Sequence, residues 1–326
     1  MTPTPPRTAL VLGATGGIGG AIALALRRHG WEVHGMARRL PETGPAGLHW
    51  HRGDALSPGD VRAAAEGADV IVHAVNPPGY RDWDRLVLPM LDNTLQAARG
   101  TGARIVLPGT IYNYDPAGTP VLRDTTPQHP RSRKGAIRVE MERRLEAAAP
   151  EVRTLILRAG DFFGPGARSS WFGQAMVAPG KPLRRIVDPA VGAGHSWAYL
   201  PDLAETFARL LDLPGLRPFE RLQFEGLHDD TGRVMTDALR RIAGRDLPVW
   251  RFPWWLIAAL APVARFPREA AEIAPFWRHP MRLDNTRLRA LLGEEPRTAT
   301  DTALRRTLEA MGSLPADAAT PAQRAA

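Results

Sequence analysis

The feature that most constrains this chain is Gly13-Ala14-Thr15-Gly16-Gly17-Ile18-Gly19, a GxxGxxG turn between an apolar run, Thr8–Leu12, and a helical pattern, Ile18–His29. A strand that feeds a helix through such a turn brings backbone N–H groups to an anion. Its glycines allow the sharp reversal, a close approach of a pyrophosphate, and tight contact between helix and sheet. The anion then sits at a helix N-terminus, where unpaired donors and the dipole favour negative charge. An ordinary flexible turn would need neither flank, so the context selects the dinucleotide reading.

The rest of the first half keeps the same rhythm. Glu32–Ala37 reads as strand two, Leu48–Arg52 as strand three, Val61–Glu66 as a helix and Ala68–Val75 as a buried strand four. Trp83–Arg99 is a long amphipathic helix with Leu86, Met90, Leu91, Leu95 and Ala98 on one face. Arg104–Leu107 is strand five, Arg138–Ala148 a helix and Thr154–Arg158 strand six. Strands alternating with helices predict an α/β fold, a Rossmann-type doubly wound parallel sheet. After Gly164 prolines and glycines interrupt the pattern, and helices return at Leu203–Leu213 and Thr236–Ala243. The expected division is a nucleotide-binding domain over 1–165, a smaller discontinuous C-terminal cap over 166–314 that returns some segments to the first domain, and a flexible Ala/Pro-rich tail over 315–326.

Composition removes several function classes. With no cysteine there is no disulfide framework, thiolate metal site or cysteine nucleophile. The charge of +8 suggests a phosphate-tracking surface, yet 40 of the 42 basic residues are scattered arginines, without a basic stripe or stacking motif. No nucleic-acid partner is expected. Phe252–Ala264, the longest aromatic-apolar stretch, contains two prolines and is too short to span a bilayer, so no membrane partner is expected and the location is read as cytoplasmic. His49 and His51 share one face of strand three, but no third ligand accompanies them and no metal is expected.

Cofactor choice is written at the end of strand two, where an acid would hold the 2′-hydroxyl of NAD and an arginine the 2′-phosphate of NADP. The strand ends Ala37-Arg38-Arg39, and Glu32 lies at its start, so NADP is expected over NAD. Asp54, after strand three, is placed either to meet the adenine edge or to cap the next turn.

These residues together resemble the extended and atypical short-chain dehydrogenase/reductases, the NAD-dependent epimerase/dehydratase family, over nearly the whole chain. Gly13–Gly19 matches the family turn, Gly53-Asp54 its adenine-side aspartate, Val70–Ala74 its fourth strand and Asn93 its helical asparagine. Arg158–Pro165 looks like the family's R-x-G-x-x-Y/F-G-P element beside the nicotinamide. His195–Ala204 is similar to its pocket-wall segment, and Arg282–Gly293 to its C-terminal D-x-s-k…LG stretch. The resemblance implies cofactor contacts from Gly13, Thr15, Gly16, Gly17, Ile18, Gly19, Ala74 and Asn93, and a helix-paired homodimer.

The family's chemistry uses a tyrosine with a lysine four residues later. The tyrosines here are Tyr80, Tyr112, Tyr114 and Tyr199, followed at that spacing by Asp84, Pro116, Gly118 and Leu203, so no YxxxK exists. The segment Pro130–Arg138 resembles the family's P-x-x-x-Y-G-x-x-K with Lys134 for tyrosine and Arg138 for lysine, and Glu142 falls at the family's glutamate position. Arg138 can hold ribose hydroxyls but stays protonated. Two readings of Lys134 stand open: a proton donor with a lowered pKa, or a solvated residue at a helix start. Thr110 is the nearest hydroxyl to the family's serine, and Tyr112 is either a substitute donor or a packed aromatic. His195 can titrate near neutrality or be structural. Trp250, Trp254, Trp255 and Phe252 either line a substrate pocket or pack the cap.

The functional expectation is an NADP-dependent oxidoreductase or epimerase-like enzyme acting on a small carbonyl, alcohol or sugar-nucleotide-type molecule. Thr110, Tyr112, Lys134 and Arg138 are its candidate catalytic residues. The alternative is a non-catalytic NADP(H)-binding sensor or scaffold.

Overall fold

Each short aliphatic run becomes a strand buried on both sides, because crossover helices cover both faces of a parallel sheet. The computed structural model describes residues 6–314 apart from 43, 44, 46, 78–81, 168, 191 and 193. Tyr80 and the expected tail at 315–326 lie outside the described residues.

In chain order the first half forms β1 (Thr8–Leu12), α1 (Gly17–Arg28), β2 (Glu32–Ala37), β3 (His49–Arg52), α2 (Pro58–Ala64) and β4 (Val70–His73). It continues with α3 (Trp83–Thr101), β5 (Arg104–Gly109), β6 (Val121–Leu122), α4 (Arg133–Ala147) and β7 (Thr154–Arg158). The second half supplies β8 (Asp161–Phe163), β9 (Ile186–Asp188), β10 (His195–Tyr199), α5 (Leu200–Asp212), β11 (Phe219–Gln223) and β12 (Leu227–Asp229). Then come α6 (Val234–Ala243), β13 (Val249–Arg251), α7 (Trp254–Leu260), α8 (Arg265–Ala271), β14 (Arg282–Leu283), α9 (Thr286–Leu292) and α10 (Thr300–Ala310).

Seven strands pair in parallel in the order β11-β7-β5-β4-β1-β2-β3. The order reverses between β1 and β4, and the crevice outside the strand ends at that point is where ligands of such sheets bind. One face carries Val11 against Ile22 and Leu26 of α1, Phe207 of α5 and Leu288 of α9. The other carries Leu10 and Leu12 against Val61 of α2, Leu91 of α3 and Met141 of α4. Beyond the strand ends β8, β10 and β12 form a small sheet. Trp197 of β10 shares a separate core there with Leu239 of α6, Ile257 of α7 and Leu304 of α10.

Two departures from the sequence expectation bear on the frame of the site. α4 starts at Arg133, five residues before the expected Arg138, because the Ser132 side chain accepts from the Gly135 N–H at 2.9 Å and caps it. Its first turns bury charged residues, so no apolar period announces them. The second is the seventh strand of the sheet, Phe219–Gln223: Glu220 is buried through its ion pair with Arg287, so charge sits where an apolar residue would signal a strand.

The sheet's C-terminal edge is held by a buried ion pair. Arg158, fully buried at the end of β7, donates to Glu142 of α4 at 2.8 and 2.9 Å. Arg221 of β11 approaches the same carboxylate at 3.1 Å. Removing one partner of such a pair leaves an uncompensated buried charge. Glu142→Ala is therefore expected to lower the unfolding free energy by about 3–5 kcal/mol in urea titrations. A loss near that of a surface substitution would show that the pair does not anchor the edge.

Candidate functional site

The glycine turn lies at the reversal of the sheet. Gly13 follows β1 with φ of +86°, and a side chain there would meet the Ala74 carbonyl at 2.6 Å. A side chain on Gly19 would meet the Gly13 carbonyl at 2.3 Å, so the turn, the first helix and the chain leaving β4 touch through bare backbone. Gly17 and Ile18 open α1 behind Gly16, which offers no side-chain cap, and the first turn holds no acid. The opening N–H groups thus keep the donor capacity a phosphate would use. Thr15 and Gly16 are exposed beside them.

β2 runs parallel to β1 with Met36 opposite Leu12, which puts Arg38 and Arg39 beside the turn. Both guanidinium groups are exposed and make no ion pair or hydrogen bond with a described residue. Asp54 is half-buried, and its Oδ1 accepts from Leu56 N–H at 3.0 Å in a local turn. Asn93 donates to the Ala55 carbonyl at 2.9 Å and so ties α3 to the loop that carries Asp54. The bare backbone, the uncapped helix and the two exposed cations fit a dinucleotide.

The opposite side of the crevice is built where β4, β5 and β7 end. Thr110 accepts from the Tyr112 N–H at 3.3 Å, capping the one-turn helix Ile111–Asn113, and its carbonyl accepts from Arg158. The Tyr112 ring lies 5.2 Å from Phe276. A side chain on Gly135 would stand 2.1 Å from the Tyr112 carbonyl, so this glycine lets α4 press directly on the 111–113 turn. The structure thereby brings Thr110, Tyr112, Lys134 and Arg138 to neighbouring elements.

Lys134 is not at a solvated helix start. It is 3% exposed, and its ammonium donates to the carboxylates of Glu269 and Glu272 and to the Glu269 carbonyl at 3.4 Å. Three acceptors meet three N–H donors. Glu272 also accepts from the Arg133 N–H at 2.6 Å, so the end of α8 is docked onto the start of α4. No local sequence signal marks this clamp, because its halves are about 135 residues apart. Arg138 stacks over Trp83, 5.1 Å from the ring centroid.

His73, at the end of β4, was not singled out from the sequence. The Thr94 hydroxyl donates to the Met90 carbonyl at 3.0 Å, so it accepts from His73 Nδ1 at 2.8 Å. That leaves Nε2 as a buried lone pair without a hydrogen-bond partner among the described residues. Burial, and then the Arg138 charge, lower the His73 pKa from 6.5 to about 3. His195 is 3% exposed, bonded through Nε2 to Asp161 at 2.8 Å and stacked on Trp277 at 3.8 Å between centroids. Its neighbour Asp188 is pushed up to about 6, chiefly by burial. His49 and His51 lie with His34 on one sheet face, His34 Nδ1 standing 2.7 Å from His51 Nε2. Among the described residues no group of three His, Cys, Asp or Glu side chains is arranged to hold a metal ion.

Fold and crevice define a Rossmann-type dinucleotide-binding protein. The profile of the NAD dependent epimerase/dehydratase family matches residues 9–214, and the chain belongs to that family. No curated protein matches it in sequence. Among solved structures it is similar to a protein from Burkholderia cenocepacia J2315 described provisionally as an epimerase. That likeness has a TM-score of 0.75 at 21% identity and covers 95% of this chain and 99% of the other. It is also similar to UDP-glucuronic acid 4-epimerase from Bacillus cereus in complex with NAD, with a TM-score of 0.71, 16% identity and coverage of 95% and 99%. UDP-glucose 4-epimerase from Thermotoga maritima with UDP-glucose gives 0.71 at 17% identity, covering 93% and 98%. At these identities the likeness shows the fold.

The depressed His73 makes an acid-side prediction. Unfolded, the ring takes a proton below pH 6.5, whereas the folded ring excludes it until about pH 3, so folding stability is intact above 6.5 and falls with the pH beneath it. Between pH 6.5 and 5 this contributes a loss of roughly 2 kcal/mol. In urea titrations at the two pH values, His73→Gln should lose about 1–2 kcal/mol less than the parent over that interval. Equal losses would remove His73 as the source.

Proposed function

We propose that the protein is an NADP-dependent oxidoreductase or epimerase-like enzyme acting on a carbonyl, alcohol or sugar-nucleotide-type substrate through an altered proton relay. The observation that carries the cofactor reading is the pair of exposed guanidinium groups of Arg38 and Arg39 at the end of β2, which meet no partner among the described residues, beside an uncapped helix start. A 2′-phosphate would be gripped there, and no acid stands at that strand end to favour a ribose hydroxyl. The one solved structure named above with a bound dinucleotide holds NAD, so the NADP reading rests on this chain's own arginines.

When bound, the dinucleotide supplies hydride transfer. The chain's residues do the rest: Thr110 orients the substrate oxygen, Arg138 holds ribose hydroxyls, and Tyr112 handles the proton. The clamp on Lys134 favours Tyr112 over it, since all three ammonium donors already have acceptors. The same clamp, with the missing YxxxK pair, favours a second reading in which the protein binds NADP(H) as a sensor or scaffold.

Binding and turnover separate these readings. NADPH should bind about tenfold to a hundredfold tighter than NADH in fluorescence titrations, and Arg38→Ala with Arg39→Ala should erase the difference. A preference for NADH in the parent would overturn the cofactor reading. With NADPH and a panel of aldehydes, ketones and nucleotide sugars, absorbance and product analysis should reveal turnover that Tyr112→Phe lowers by about 10²-fold or more. Tight NADPH binding with neither consumption nor an isomerised product across the panel selects the sensor.

A further inference from the structure

The aromatic stretch of the cap divides between its two sides. Trp254 turns inward, its indole N–H donating to the Pro189 carbonyl at 2.8 Å and its ring beside Trp171 and Phe252. Ile257, Pro267 and Ala270 are buried with it. The outward side of α7 and of the turn joining it to α8 is apolar and open to solvent, and Phe266 continues it onto α8 between Arg265 and Arg268. Val263 in the turn is 82% exposed, Trp255 74% and Phe266 55%, with Leu256 and Leu260 continuing the patch. Contiguous exposure of this kind marks a contact surface.

Charge identifies the occupant. From Trp250 to Arg268 the chain carries three arginines, Arg251, Arg265 and Arg268, and no acid. The next two acids, Glu269 and Glu272, turn inward onto Lys134. Arg265 reaches Asp82 at 3.5 Å, while Arg268 is exposed and makes no ion pair with a described residue. We infer that this helical hairpin docks on an anionic phospholipid surface, its apolar side chains entering the headgroup boundary and its arginines meeting lipid phosphates. An interfacial hairpin needs that pairing of aromatic and aliphatic residues with a cationic rim. A second copy fits less well, because a two-fold contact sets the arginines of one protomer against those of the other. Nucleic acid fits less well again, because three of these five exposed side chains, Leu256, Leu260 and Val263, are aliphatic and cannot stack on bases. No helix among the described residues is long and apolar enough to cross a membrane, so the contact is peripheral.

The full chain should co-sediment with vesicles of mixed phosphatidylglycerol and phosphatidylcholine and not with pure phosphatidylcholine, and added salt should weaken the binding. Trp255→Ser with Val263→Ser should reduce the bound fraction about tenfold or more, at unchanged melting temperature and NADPH affinity. Arg251→Gln and Arg268→Gln should each cost roughly fivefold on the anionic vesicles. Failure to bind them at low salt, or equal binding to both vesicle types, overturns the inference. So does a dimer in solution that Trp255→Ser dissociates, or binding to the anionic vesicles that both serine substitutions leave unchanged.

Discussion

The candidate site depends on one buried carboxylate. Glu142 receives two bonds from Arg158, one from Asn113 at 2.9 Å and one from Gln128 at 2.7 Å, and Arg221 stands beside it. Burying these charges is costly, and the cost is offset only while every partner keeps its geometry. In consequence the end of β7, the helix α4, the turn that follows β5 and the edge strand β11 are held to one point. Because Arg158 also bonds the Thr110 carbonyl, the placement of Thr110, Tyr112 and Arg138 relative to one another follows from this pair.

A second ionic cluster joins α8 to that frame. Glu269 and Glu272 lie three residues apart on or just after a short helix and close on Lys134 from the same side. The Lys134 ammonium, nearly wholly buried, is thereby paired with two carboxylates at the end of α8. This pairing joins the start of α4 to α8. It also explains why an unusually polar helix start is buried: the carboxylates that make its burial possible come from the far end of the chain.

Legibility followed the range of the interactions involved. The strands Thr8–Leu12, Glu32–Ala37 and Thr154–Arg158 were readable to the residue, because aliphatic runs bounded by glycine or charge have one local interpretation. The start of α4 was not, because Lys134 and Arg138 occupy inward positions where periodicity looks for apolar side chains. The edge strand with Glu220 was hidden for the same reason. His73 ends a strand that reads simply as buried, and only the fold shows that its Nε2 has no hydrogen-bond partner among the described residues and lies beside the Arg138 charge.

The sequence alone determined the phosphate-binding turn, the parallel α/β architecture and the absence of YxxxK, since each is a matter of residue identity at short spacing. It also determined that the acid expected of an NAD-type strand end is replaced by Arg38 and Arg39. The tertiary structure decided which charges are spent and which are available. Lys134 is paired across about 135 residues, whereas Arg38 and Arg39 meet no described partner. It likewise decided that Trp254 packs inward while Trp255, its immediate neighbour, faces solvent. Pairing and burial depend on distances between segments remote in the chain, and such distances exist only once the chain has folded.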